Sequence, residues 1–199
     1  MAFSHVNSDM NLRDIICKTR SYRRFDESQK IEIKTLTNLI DLARLSASGA
    51  NRQPLKYLLC NTSEYCEKIF PTLAWAGYLA DWQGPKEGER PSAYIIILGD
   101  REITDAFGVD HGIAAQSIML GATTKGLGGC IIASIQKEKL KNELKISDRF
   151  EMLLVLALGK PIEDVVIEDV KDDNIRYWRD ADDIHHVPKR RLEDIILKI

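Results

Sequence analysis

The sequence predicts one mixed domain, residues 1–199, in which helices alternate with buried strands. Three observations carry that reading. SAYIIILG (Ser92 to Gly99) and MLLVLAL (Met152 to Leu158) are apolar runs of strand length, the first rich in β-branched isoleucine. Val109 to Lys125 lies between them, helix-length and built from small and apolar residues, with few charges apart from Asp110 and Lys125. No repeat or clear linker interrupts the 199 residues, and 44% hydrophobic content is enough for a substantial core.

Leu12 to Thr19 reads as the first helix, with Asp9 or Asn11 as its cap. RSYRRF (Arg20 to Phe25) follows at its carboxyl end. That end carries partial negative charge, so the arginines either neutralise it on a solvated face or hold an anion. Ile33 to Ala47 is a second helix with an apolar stripe of Leu36, Leu39, Ile40, Ala43 and Leu45, stopped by Ser48-Gly49. SASGANRQP (Ser46 to Pro54) then supplies Ser, Asn and Gln, neutral donors and acceptors suited to a heterocyclic ring. Arginine's planar fork suits a phosphate. Together the two segments point to a phosphate-bearing cofactor.

Lys56 to Cys60 is the next strand. Trp75, Tyr78 and Trp82 follow at spacings that place all three on one side of a helix, as core or subunit packing or as a platform for a flat ligand. Gly84 to Pro91 is a polar loop and a candidate lid. The small residues of Val109 to Lys125 allow close backbone approach, which makes this helix the central spine and a candidate two-fold interface. It runs into Gly126-Leu127-Gly128-Gly129 and the apolar strand Cys130 to Ala133. A dinucleotide fingerprint has the order strand, glycine turn, helix; here the helix comes first, so the glycines are a helix stop and tight turn. Lys137 to Leu144 is a short helix, and Gly159-Lys160-Pro161 closes the Met152 to Leu158 strand. The acidic stretch Glu163 to Asp173 leads to a polar end with a second basic cluster, Lys189, Arg190 and Arg191. The two clusters either converge on one anionic group or face solvent independently.

With 28 basic and 30 acidic residues the formal charge is -2, so no global field draws the chain to nucleic acid or anionic lipid, and anion binding must be local. The amino-terminal MAFSHVNSDMN lacks the basic start and apolar run of a secretory leader, and no stretch of eighteen apolar residues occurs; the expectation is a cytoplasmic protein. Cys17, Cys60, Cys66 and Cys130 form no CxxC pair, which argues against a zinc knuckle or a dithiol. Of His5, His111, His185 and His186, none has the spacing of a helical metal motif, and the His185-His186 pair beside Val187-Pro188 reads as a structural or surface loop, with metal ligation as the alternative.

In order, RSYRRF, SASGANRQP, DHGIAAQSIMLGATTKGLGGCII, LVLALGKP and PKRRLEDII resemble the five characteristic segments of the nitroreductase family of flavin enzymes: its basic phosphate motif, its PSxxNxQPW segment, its central helix and glycine turn, its strand ending in LGxP and its basic carboxyl end. The resemblance implies an α+β three-layer fold, a central mostly antiparallel sheet flanked by helices, in an intertwined homodimer with FMN at the subunit interface. Arg20 and Ser21 then match positions at the FMN phosphate and pyrimidine edge, with Tyr22 inside the same motif, and Arg23 the cation near flavin N1 and O2, where it stabilises reduced flavin. Arg24 exchanges with Arg23 if the register slips by one. Ser48, Asn51 and Gln53 match flavin-contacting polar residues, Ser48 from the partner subunit, although Ala47 and Leu55 replace the usual proline and aromatic. Ala133 and Ser134 fall where backbone groups face flavin N5. Lys189 and Arg191 match the carboxyl-terminal phosphate ligands, with Arg190 as substitute.

By the same resemblance the function is that of an NAD(P)H oxidoreductase working in a ping-pong cycle on small electron-poor acceptors such as nitroaromatics or quinones, with no side chain as catalytic acid or base. Two alternatives remain: an FMN-binding or regulatory module with little turnover, and an unrelated phosphate-ligand enzyme using His185 or His186.

Overall fold

The computed structural model describes residues 11–197; Asp9, His5 and most of the MAFSHVNSDMN segment, read as lacking the marks of a secretory leader, lie outside them. The elements run α1 (Leu12–Lys18), β1 (Phe25–Asp26), α2 (Ile33–Arg44), β2 (Leu55–Cys60), α3 (Ser63–Ile69), β3 (Ala93–Asp100), α4 (Asp110–Thr124), β4 (Gly128–Ile132), α5 (Lys137–Leu144), β5 (Phe150–Pro161), β6 (Val165–Asp169), β7 (Trp178–Arg179), β8 (His185–Lys189) and α6 (Leu192–Ile195). Asn11 caps α1, its side chain accepting from Asp14 N–H at 3.1 Å.

Strand β5 organises the main sheet. It pairs antiparallel with β3 along one edge and with β4 and then β1 along the other, and β2 completes the sheet outside β3. All eight residues of β3 are buried, as expected of a strand covered on both faces. Its side chains alternate between two cores. Ala93, Ile95 and Ile97 meet α2 and α4 through Leu36, Leu39, Ala115, Ile118 and Met119. Tyr94, Ile96 and Leu98 meet α3 and α5 through Ile69 and Leu140. The result is three layers, helices on both faces of an antiparallel sheet, the α+β class expected.

Helix α4 is the spine. Gly121 lets α2 lie against it: a Cβ there would sit 2.3 Å from Leu42 Cδ1. Helix α2 stops at Arg44, so Leu45 falls outside the stripe and is exposed.

Three expectations need correction. Trp75, Tyr78 and Trp82 do not share a helix; their segment is irregular, Ala76 is left-handed at φ 42°, and each ring finds its own partner. Trp75 packs on Phe70, Tyr78 on Tyr177, and Trp82 under the Arg179 guanidinium. Gly159-Lys160-Pro161 does not close β5, because Lys160 and Pro161 extend it to pair with Asp26 and Phe25. The carboxyl region is not a polar tail with a histidine loop. It folds as a second sheet of order β6-β8-β7, with His185 and His186 on β8. The Gly84 to Pro91 loop is tied down: Gly88 N–H donates to Glu27, and Glu89 pairs with Arg24.

Candidate functional site

The arginine motif is fixed at both ends before any of its side chains reach a cavity. Thr19 closes α1 and bonds Thr123 of α4 through their hydroxyls at 2.8 Å. Three residues on, Tyr22 N–H donates to Gly129 O at 2.9 Å, and Ser21 bridges Gly129 in parallel. The motif therefore runs alongside β4. Tyr22 turns its ring toward Gly128 and donates its hydroxyl to Lys18 O, while Arg20, Ser21 and Arg23 line a cavity of about 290 Å3. Thr19, Gln116, Met119, Gly129, Ile131, Tyr177, His185, Val187 and Lys189 complete the lining.

Arg20 Nη2 caps the open end of α1 through Ile16 O at 2.8 Å. Arg23 is 8% exposed, and its side chain meets Ser21 O at 3.2 Å, His185 Nε2 at 3.2 Å and the face of Tyr177 at 4.8 Å. None of these carries negative charge. Arg24 points away and is consumed in ion pairs with Glu89 and Asp183, which hold its proton more tightly than in free arginine. Arg23 lines the cavity and Arg24 does not. Burial, then the charges of Arg23, Arg179 and His186, push the His185 imidazole down to about 4, so it is neutral at ordinary pH. Three nitrogens of cavity-lining side chains, Arg20 Nε, Arg23 Nε and His185 Nδ1, are buried and without a partner.

Of the second basic cluster, Lys189 lines the cavity. Arg190 instead pairs with Asp173 on the surface, and Arg191 stands at the N-cap position of α6 without a side-chain capping bond. The clusters therefore converge through one residue. Ala133 and Ser134 follow β4 outside the cavity lining, and Ser134 O is taken by Ala74 N–H at 3.0 Å.

Ser48 and Gln53 line a separate cavity of about 160 Å3 that shares no lining residue with the first. Asp110, at the start of α4, organises it: its carboxylate accepts from Ser48 Oγ at 2.6 Å and from Gly49 N–H at 2.9 Å. Gln53 N–H donates to Ser48 Oγ at 2.9 Å. Ala50, Asn51 and Gln53 all have φ between 50° and 54°, a costly conformation for residues with a Cβ that persists where surrounding bonds enforce it. The exposed amide of Gln53 reaches Asn51 Oδ1 at 3.2 Å.

Sequence reasoning missed Tyr177, the cavity's aromatic, and Glu163, and it raised His185 only as a metal-ligand or acid-base alternative and not as a neighbour of Arg23. Glu163 accepts from the backbone N–H groups of Arg23 and Arg24 and pairs with Arg179. Asp110 was legible only as a charge in a small-residue helix. Among the described residues no group of His, Cys, Asp and Glu could hold a metal, and no helix is long and apolar enough to cross a membrane.

The fold is shared with solved proteins. A nitroreductase family protein from Clostridium novyi NT superposes with a TM-score of 0.62 at 26% identity, covering 76% of this chain and 86% of that one. A provisionally named nitroreductase from Exiguobacterium sibiricum 255-15, solved in complex with FMN, gives 0.65 at 19% identity over 80% of this chain and 92% of its own. In sequence, the provisionally named NAD(P)H nitroreductase YodC of Bacillus subtilis (strain 168) is 21% identical over 183 residues, 77% of this chain and 91% of that protein. The nitroreductase family model matches residues 16–160, from α1 through nearly all of β5, and the chain therefore belongs to the nitroreductase family.

Proposed function

We propose that this chain is an FMN-dependent oxidoreductase that uses NAD(P)H to reduce small electron-poor acceptors such as nitroaromatics or quinones. One observation carries the reading most directly. Arg23 is a buried guanidinium with no carboxylate on its side chain among the described residues, in a cavity with two further partnerless donor nitrogens on Arg20 and His185. Buried cations are ordinarily paired, so a cavity of this kind fits an anionic ligand that brings the missing charge and acceptors.

In this reading Arg20, Ser21 and Lys189 receive the FMN phosphate, with Arg191 beyond them, and Arg23 faces the N1-C2-O2 edge of the ring. Tyr22 and Arg24 serve as frame, holding the motif to α1 and to the Glu89 loop. Ala133 and Ser134 offer backbone groups near N5. Ser48, Asn51 and Gln53 contact the flavin from the partner subunit of a homodimer. Two features support that last assignment: Ser48 and Gln53 line a cavity of their own, and about 290 Å3 lies at or below the lower end of the roughly 300–1,000 Å3 of small-molecule sites. Exposed Leu12, Leu45 and Val109 leave apolar surface for such a contact.

When bound, FMN supplies the two-electron chemistry between donor and acceptor, which take turns in one cavity; the protein binds, orients and tunes. The test is the visible spectrum of the purified protein, identification of the released chromophore, and anaerobic addition of NADH or NADPH. FMN that bleaches on either nucleotide is the expected result. FMN that stays oxidised favours a binding module with little turnover, and a colourless protein that cannot be reconstituted sinks the assignment.

A further inference from the structure

Arg23 precedes β1 and His185 opens β8, 162 positions later and beyond the stretch matched by the family model. His185 is 1% exposed, so its partners are set by packing. Arginine has donors and no acceptor; with Arg23 Nη1 at 3.2 Å, His185 Nε2 must therefore be the lone-pair nitrogen, and the imidazole proton sits on Nδ1. The Tyr177 ring lies 4.8 Å from the Arg23 guanidinium carbon and 5.3 Å from the imidazole centroid, so one aromatic ring packs against both groups. The carboxylate at the Arg23 backbone, Glu163, is engaged by backbone N–H groups and by Arg179 at 2.8 Å. Each group that touches the Arg23 side chain fixes its direction without cancelling its charge.

We propose that His185 is a positioning residue: through Nε2 it holds the Arg23 guanidinium against Tyr177 as a full cation on the cavity wall, and thereby sets how strongly the site prefers a reduced, anionic ring over an oxidised one. The inference rests on the FMN reading above. The downward push on the imidazole by burial and by Arg23, Arg179 and His186 is consistent with it, because a neutral imidazole keeps a lone pair for Arg23. A carboxylate in the same place would pair with Arg23 and remove the cation from the ligand's surroundings; an amide would keep an acceptor and leave the charge intact.

His185→Gln and His185→Glu form a shape-matched pair that separates these effects. The readout is the two-electron midpoint potential of bound FMN, with FMN affinity and melting temperature measured alongside. The glutamine variant is expected to restore the wild-type potential. The glutamate variant is expected to lose at least tenfold in its preference for reduced over oxidised flavin, a negative shift of about 30 mV or more. Equal potentials in the two variants overturn the role of His185. Should the glutamate variant fail to fold, His185→Leu decides: a lowered potential supports the role, and a potential equal to wild type overturns it. A wild-type protein that takes up no FMN overturns the flavin reading itself, and the role of His185 in setting flavin preference with it.

Discussion

The Glu163 carboxylate and the Arg179 guanidinium meet at 2.8 Å, with side chains 1% and 12% exposed, and the same carboxylate holds the backbone of Arg23 and Arg24. One buried anion thus ties the carboxyl-terminal sheet to the arginine motif. Removing one partner of such a pair leaves an uncompensated charge, so Glu163→Ala is expected to cost about 3–5 kcal/mol in urea unfolding and to release FMN. A loss under about 1 kcal/mol would show that water reaches Arg179 freely and that the pair is not a structural tie.

The adjacent histidines titrate in opposite directions. His186 Nε2 faces Asp180 at 3.1 Å and Nδ1 faces Glu168 at 3.3 Å, and both carboxylates, Asp180 first, raise its affinity for a proton. Its contribution to stability is complete below the unfolded value of about 6.5 and fades as pH rises through the higher folded value. The melting difference between wild type and His186→Gln should shrink on that alkaline side. His185, held down to about 4, acts in reverse: the unfolded chain binds its proton first, so stability falls as pH drops from about 6.5 toward 4. The acid limb of the wild-type melting profile should flatten in the apo His185→Gln protein.

Arg23 and Arg24 should separate cleanly by titration with FMN. Loss of one charge-assisted bond is worth about 1.5–3 kcal/mol, so Arg23→Ala is expected to weaken FMN binding roughly tenfold to hundredfold. Arg24→Ala removes pairs with Glu89 and Asp183, should lower the melting temperature, and should leave FMN affinity within about threefold. The reverse ranking would move the binding register by one residue.

Gly129 is a packing requirement. A Cβ there would stand 2.2 Å from Ala157 O, a backbone atom of the paired strand, so Gly129→Ala must push β4 from β5. A loss of at least about 1–3 kcal/mol in urea unfolding is expected. Because Tyr22 and Ser21 lean on the same residue, FMN affinity should fall with it.

What the sequence revealed follows from where burial is periodic. β3, β5 and α4 are legible because apolar or small residues recur along most of their length. β1, with two residues, has too little pattern to see. The second sheet is hidden for another reason: His185 is buried through Arg23 and Tyr177, partners distant in sequence, and polar residues buried by one another leave no hydrophobic period. The Trp75, Tyr78 and Trp82 spacing misled because left-handed Ala76 breaks the helix that spacing assumes. Arg20, Ser21, Arg23 and Lys189 were legible as clustered chemistry, whereas the neutral surroundings that leave Arg23 uncompensated exist only in the fold.

The complete burial of β3 has a consequence for synthesis. Its partner β5 begins at Phe150, about fifty residues further along the chain, so at roughly 5–20 residues per second the run Tyr94 to Leu98 waits on the order of 3–10 s for its second neighbour. During that interval a nascent chain exposes five consecutive large apolar residues, most of them β-branched, the kind of segment that seeds intermolecular pairing. Yield in a heterologous host should therefore depend on translation speed and chaperone supply more than on the stability of the finished protein.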